Sequence, residues 1–144
     1  MTDKEYFVPS KPLTCLENSK RGFAIHVSLK RKGKNNVVYS GYTIKSMGIG
    51  NCLEHDEIII LFEDGTKYSE KSWNDFNCNG NSYYDINGND FDDIKSKKIK
   101  AIRFTNGRSY ESFTYNLKSD EAEYFMKINE ALEKNSIVVV QSLD

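Results

Sequence analysis

Asp75, Asn77, Asn79 and Gly80 stand at the spacing D-x-N-x-N-G, the opening of a calcium-binding loop. Such a loop wraps a hard cation in oxygens from alternate positions and closes with a bidentate glutamate at position 12. Counted from Asp75, position 12 is Ile86, and the stretch after Gly80, Asn-Ser-Tyr-Tyr-Asp, is β-prone. Asn and Gly tolerate left-handed backbone, and Asn side chains mimic turn hydrogen bonds. The same letters therefore read as a polar turn between two strands. Asp85, Asp90, Asp92 and Asp93 form a further acidic run that could hold a cation outside this geometry.

A second constellation is Cys52-Leu-Glu-His55, the C-x-x-H spacing of half a zinc site. Zinc favours four nitrogen and sulfur ligands. Cys15, Cys78 and His26 could complete the set, but none forms a second close-spaced pair. An odd cysteine count without framework spacing points to reduced thiols in a cytoplasm, buried as small hydrophobes. His26 and His55 are the only side chains that titrate near neutrality unaided. His55 with the acidic run is the arrangement a hydrolase or nuclease would use, yet neither histidine belongs to a nucleophile motif. Gly48-Ile49-Gly50 lacks the third glycine and following helix of a dinucleotide loop, and no Walker lysine motif occurs. The expectation is a protein without cofactor or metal and without catalysis. Asp75, Asn77, Asn79, Cys52 and His55 are its weak candidate ligands, short of a complete site.

Trp73, Tyr83 and Tyr84 are the residues that could offer stacking platforms to a carbohydrate or a nucleotide-like ligand. The basic runs KRKGK, 30–34, and KSKKIK, 95–100, invite comparison with single-strand binding. Lysine outnumbers arginine, the better base reader, and the net charge is −1, so nucleic acid is not the expected partner. Charge is laid out in blocks: basic over 11–45 and 94–118, acidic over 46–93 and 119–144. Either the blocks polarise the surface or they neighbour each other and neutralise locally.

These residues must be positioned by one domain, since 144 residues suit a single core. No apolar run reaches the ~18 residues of a membrane span. MTDKEYFVPSKP has no apolar h-region, which leaves a cytoplasmic chain or one whose signal peptide precedes this N-terminus. Phe23, Ile25, Val27 and Leu29 alternate with Ala24, His26 and Ser28, which predicts a strand over 21–31. Further strands are predicted over 37–45, 58–63, 66–73, 82–86, 97–104 and 109–115. Asp64-Gly65 and Asn106-Gly107 mark hairpins, the first read as a type I′ turn. Residues 1–20 read as partly irregular. A helix is predicted over 119–135, capped by Ser119 or Asp120, with Ala122, Phe125, Ile128 and Leu132 on one face. SIVVVQ, 136–141, is a possible last strand that could pair within the chain or with a second copy as a homodimer. The fold class expected is mainly β: an antiparallel β-sandwich or open barrel of about seven or eight strands with one C-terminal helix.

ILFEDGTK, 60–67, and KKIKAIRF, 97–104, resemble the pattern of small uncharacterised bacterial β-sandwich proteins. In those proteins an F-x-D-G-T hairpin is followed by an Asn/Cys loop and a Lys-rich strand ending Ile-Arg. The resemblance spans about 55–115 and implies a sandwich but no catalytic residues. The function expected is a small soluble protein-interaction module. A carbohydrate- or nucleotide-binding sandwich, or an acidic-loop hydrolase, is the alternative.

Overall fold

A computed structural model describes residues 12–32, 36–85, 94 and 96–127, with backbone alone for 28–32 and 36–40. The described residues form eight strands: β1 (Leu13–Glu17), β2 (Arg21–Lys32), β3 (Asn36–Met47), β4 (Glu57–Phe62), β5 (Lys67–Lys71), β6 (Asn81–Asp85), β7 (Ile99–Thr105) and β8 (Ser112–Asn116). They assemble into two four-stranded sheets, ordered β1-β2-β3-β6 and β5-β4-β7-β8, with every pair antiparallel. The expected sandwich is what forms.

Alternation explains the packing. On β4, Ile58, Ile60 and Phe62 are buried, while Glu57, Ile59 and Leu61 face outward and are partly covered. Phe23, Ile25 and Val27 of β2 meet Ile102 and Phe104 of β7 in the core, and the Phe23 and Phe104 rings lie 5.8 Å apart. Tyr42 of β3 sits directly opposite Tyr84 of β6, and their rings stack at 4.8 Å. Buried tyrosines need hydroxyl partners. The Tyr42 hydroxyl shares a hydrogen bond with that of Tyr68, and Tyr84 donates to the Asp56 carbonyl. Leu29's side chain, Ile128 and Leu132, also expected in the core, lie outside the described residues.

Three local expectations change. Residues 13–17, read as irregular, form β1, because Leu13 and Cys15 alternate with Thr14 and Leu16 and pair with β2. The β4–β5 hairpin is not type I′. Gly65 alone takes positive φ, at +90°, and its N–H bonds to the Phe62 carbonyl in a three-residue loop. Type I′ geometry falls instead on Asn18 and Ser19, with φ of 53° and 59° between β1 and β2. In the β7–β8 connection, β8 starts at Ser112 and the left-handed residue is Tyr110, not Gly107.

Residues 124–127 are helical, and Ala122 and Phe125 are buried as the amphipathic reading requires. The cap lies earlier than Ser119 or Asp120. Glu121 accepts the Lys118 N–H, while Lys118's carbonyl accepts the Ala122 N–H. This segment closes the sandwich end where β7 begins, through the Ile99 N–H to the Ala122 carbonyl and the Tyr124 hydroxyl to the Ile25 carbonyl. The remainder of 119–135, and the strand considered over 136–141, lie outside the described residues. No helix among the described residues is long and apolar enough to cross a membrane.

Candidate functional site: the loop end

Antiparallel order collects four connections at the opposite end of the sandwich: 18–20, 48–56, 72–80 and 106–111. The 48–56 loop crosses from one sheet to the other, and 72–80 crosses back. Crossing loops need anchors for their backbone, and the main anchor is Asp56, which has no solvent exposure. Its Oδ1 accepts the Gly107 N–H at 2.7 Å and the Glu54 N–H at 3.2 Å. Its Oδ2 accepts the hydroxyls of Ser82 and, at 3.4 Å, Ser72. A buried carboxylate is tolerable only when so fully bonded. One side chain thus ties together the three longest of these connections and the edge strand β6.

Gly107 is required by proximity. A Cβ there would lie 1.9 Å from the Glu54 carbonyl oxygen. Asn106 accepts the N–H groups of Arg108 and Ser109 on its Oδ1, so the Asn-Gly pair builds a turn that presses onto 54–56.

The D-x-N-x-N-G stretch folds as a polar turn. Asn77 Oδ1 accepts the Asn79 N–H, Asn79 Oδ1 accepts the Asn81 N–H, and Asn77 Nδ2 donates to the Asn81 carbonyl. Leu53 and Asn77 exchange a pair of backbone hydrogen bonds, at 2.7 and 3.0 Å. Beside that pair, Cys52 and Cys78 are joined in a disulfide. The expectation of reduced thiols is thereby corrected, and the thiolates a zinc site would need are consumed. Counting cysteines missed this because the odd one, Cys15, faces the core from β1. Burial pushes its thiol well above the ordinary range, with Glu121 adding to the effect.

Over this frame lies an exposed surface. Trp73 is 59% exposed, Phe76 51% and Tyr110 80%, the large exposed hydrophobics of the described residues. The Trp73 indole stacks on Tyr83 at 5.4 Å, and the Arg108 guanidinium sits 4.8 Å over the Phe76 ring while pairing with Glu54. His55 Nδ1 lies 3.2 Å from the Ser72 carbonyl oxygen, to which it donates. Both His55 and Tyr110 hold left-handed backbone, at φ of 48° and 62°, although neither side chain is buried. Such conformations persist only where surrounding contacts impose them.

Of the three aromatics singled out from the sequence, Trp73 and Tyr83 come together and Tyr84 does not. Neighbouring residues on a strand point to opposite faces, so Tyr83 looks outward and Tyr84 is buried in the core. From Tyr83 a cross-strand row continues through Thr43 to His26 on the outer face of this sheet. Asp85 is exposed at the far end of β6, whereas Asp90, Asp92 and Asp93 lie outside the described residues. Asp75 is exposed, and no group of three or more His, Cys, Asp or Glu that could hold a metal occurs among the described residues. Phe76, Arg108 and Tyr110 were missed by sequence reasoning. Only their place beside the turn signals Asn79-Gly80 and Asn106-Gly107 hinted that they sit at loop tips. Compared with known protein families, curated proteins and solved structures, the chain matches none of them.

Proposed function

We propose that the chain is a non-enzymatic binding module whose partner is another protein, docked on the loop end. The observation that carries the reading is that the large exposed hydrophobics of the described residues, Trp73, Phe76 and Tyr110, all fall on loops of this one end, Phe76 beneath Arg108, with the crossing loops anchored by Asp56 and the disulfide. Tryptophan, tyrosine and arginine dominate interface hot spots, and rigid aromatic anchors lose little entropy on binding. The exposed Cys52–Cys78 disulfide supports maturation in an oxidising compartment, not the cytoplasm suggested by the cysteine count.

A second reading, a carbohydrate or nucleotide-like ligand, is favoured by one feature: the Trp73–Tyr83 stack opens onto the flat Thr43–His26 row. Trp73 is the chain's single tryptophan, so its fluorescence reports directly on this surface. The test is capture from the native source by wild type and by Trp73→Ala/Phe76→Ala/Tyr110→Ala at matched melting temperature. A defined protein retained by wild type and lost by the variant supports the proposal. Equal capture by both refutes it. A fluorescence change with oligosaccharides or nucleotides, and no protein lost, moves the assignment to the second reading.

A further inference from the structure

The outer face of the β5-β4-β7-β8 sheet carries a second surface, unrelated to the loop end. Lys67 and Lys71 on β5 and Arg103 on β7 are exposed. Ile59 and Leu61 of β4, half-buried, run between them. Register fixes the arrangement: Ile59 lies between Ser69 and Arg103, Leu61 between Lys67 and Ala101, and Glu57 between Lys71 and Thr105. At the usual strand spacing the two lysines stand about 13 Å apart along β5, and Arg103 roughly 10 Å across the sheet from it. The β8 side is neutral, with Ser112, Thr114 and Asn116.

Elsewhere among the described residues, ion pairs join the charge blocks to each other. Lys97 pairs with Asp64, Lys98 with Glu123 and Arg108 with Glu54, each joining a basic block to an acidic one. Lys67, Lys71 and Arg103 take part in no such pair among the described residues, and within the paired strands Glu57 is the acidic side chain that register places on their face. Three cations around an apolar strip match a segment that alternates acidic and apolar side chains. A nucleic acid fits less well: its phosphates would lie over Ile59 and Leu61, and the exposed aromatics on which bases could stack are at the loop end.

We propose that this face docks an acidic, apolar-containing extended segment of a partner protein, with Lys67, Lys71 and Arg103 as its charge contacts and Ile59 and Leu61 as its apolar floor. The probe is a labelled short peptide alternating glutamate and leucine, followed by fluorescence anisotropy. Controls are the glutamine–leucine peptide and a single-stranded oligonucleotide of equal charge. The expected result is saturable binding of the acidic peptide, weaker at high salt, and weakened roughly tenfold or more by Lys67→Glu/Arg103→Glu. Lys67→Gln/Lys71→Gln/Arg103→Gln, which adds no repulsion, should weaken it in the same direction. Trp73→Ala should leave it unchanged, so failure here and failure of the loop-end reading are separable. Equal binding of acidic and glutamine peptides, indifference to the charge variants, or tighter binding of the oligonucleotide would overturn the proposal.

Discussion

Asp56 shows how much one residue settles. A carboxylate with four donors and no solvent exposure is stable because it is fully bonded, and each donor depends on it in turn. Asp56→Ala should cost at least about 3 kcal/mol, since an orphaned buried donor costs roughly 1–3. Asp56→Asn should cost less, because the Ser72 and Ser82 hydroxyls can rotate to accept from the new amide. Urea denaturation measures both, and equal losses would show that the charge itself matters. Gly107→Ala should cost roughly 1–3 kcal/mol, the usual penalty of overpacking, because its Cβ would strike the Glu54 carbonyl.

The titrating groups make predictions of their own. Burial raises the phenols of Tyr42 and Tyr84 well above the ordinary range, and desolvation with a hydrogen bond to Glu121 pushes Tyr115 up to about 12. A raised phenol favours the folded state's neutral form. Stability should therefore be level below the unfolded tyrosine value of about 10 and fall as pH climbs from there through about 12. The phenolate absorbance that belongs to Tyr42 and Tyr84, isolated by difference against Tyr42→Phe and Tyr84→Phe, should appear only with unfolding. A contribution from either ring in the still-folded protein would place it nearer solvent. Thiol reagents should find no reactive cysteine in the native protein, Cys15 alone after denaturation, and all three only after reduction.

At the scale of elements, the loop end owes its stiffness to two unlike devices. The Leu53–Asn77 backbone pair fixes position in the folded state, while the disulfide restricts the unfolded chain. For a sequence separation of 26 residues, the chain-entropy account assigns about 3.5 kcal/mol to the crosslink. Cys52→Ser/Cys78→Ser should lose roughly 2–4 kcal/mol yet keep the wild-type fold. Unfolding curves with and without reductant check it, and coincident curves would show that the bond contributes nothing. Seven of the eight strands were legible because their periods are clean; β1 was not. The turns were less legible. Asp64-Gly65 correctly marked a hairpin, but its type depended on loop length, and Gly107 proved to serve close approach, not positive φ.

For the whole molecule, the two sheets and their loops respond differently to substitution. Ile60 has no solvent exposure, and Ile60→Ala should destabilise by roughly 2–5 kcal/mol. The loop-end variant Trp73→Ala/Phe76→Ala/Tyr110→Ala should shift stability far less, because exposed side chains are usually worth within about 0.5 kcal/mol each. Thermal melting separates the two. A large loss in the loop variant would mean that those aromatics serve the fold. Charge also resolves only at this scale. Lys97–Asp64, Lys98–Glu123 and Arg108–Glu54 each join a basic block to an acidic one, and among the described residues Lys67 and Lys71 of the acidic block take part in no ion pair.

Local pattern alone determined seven of the eight strands and the buried faces of β2, β4 and β7, because period and propensity act within a few residues. Tertiary structure decided what depends on residues far apart in the chain. Cys52 found Cys78 only once two crossing loops had been laid side by side, Asp56 found Gly107 where the β7–β8 hairpin presses on the first of them, and Trp73 found Tyr83 where the second folds back along β6. Sequence spacing carries no record of such meetings. The register of the sheets and the path of each crossing loop set them, and both come from packing the two apolar faces against each other.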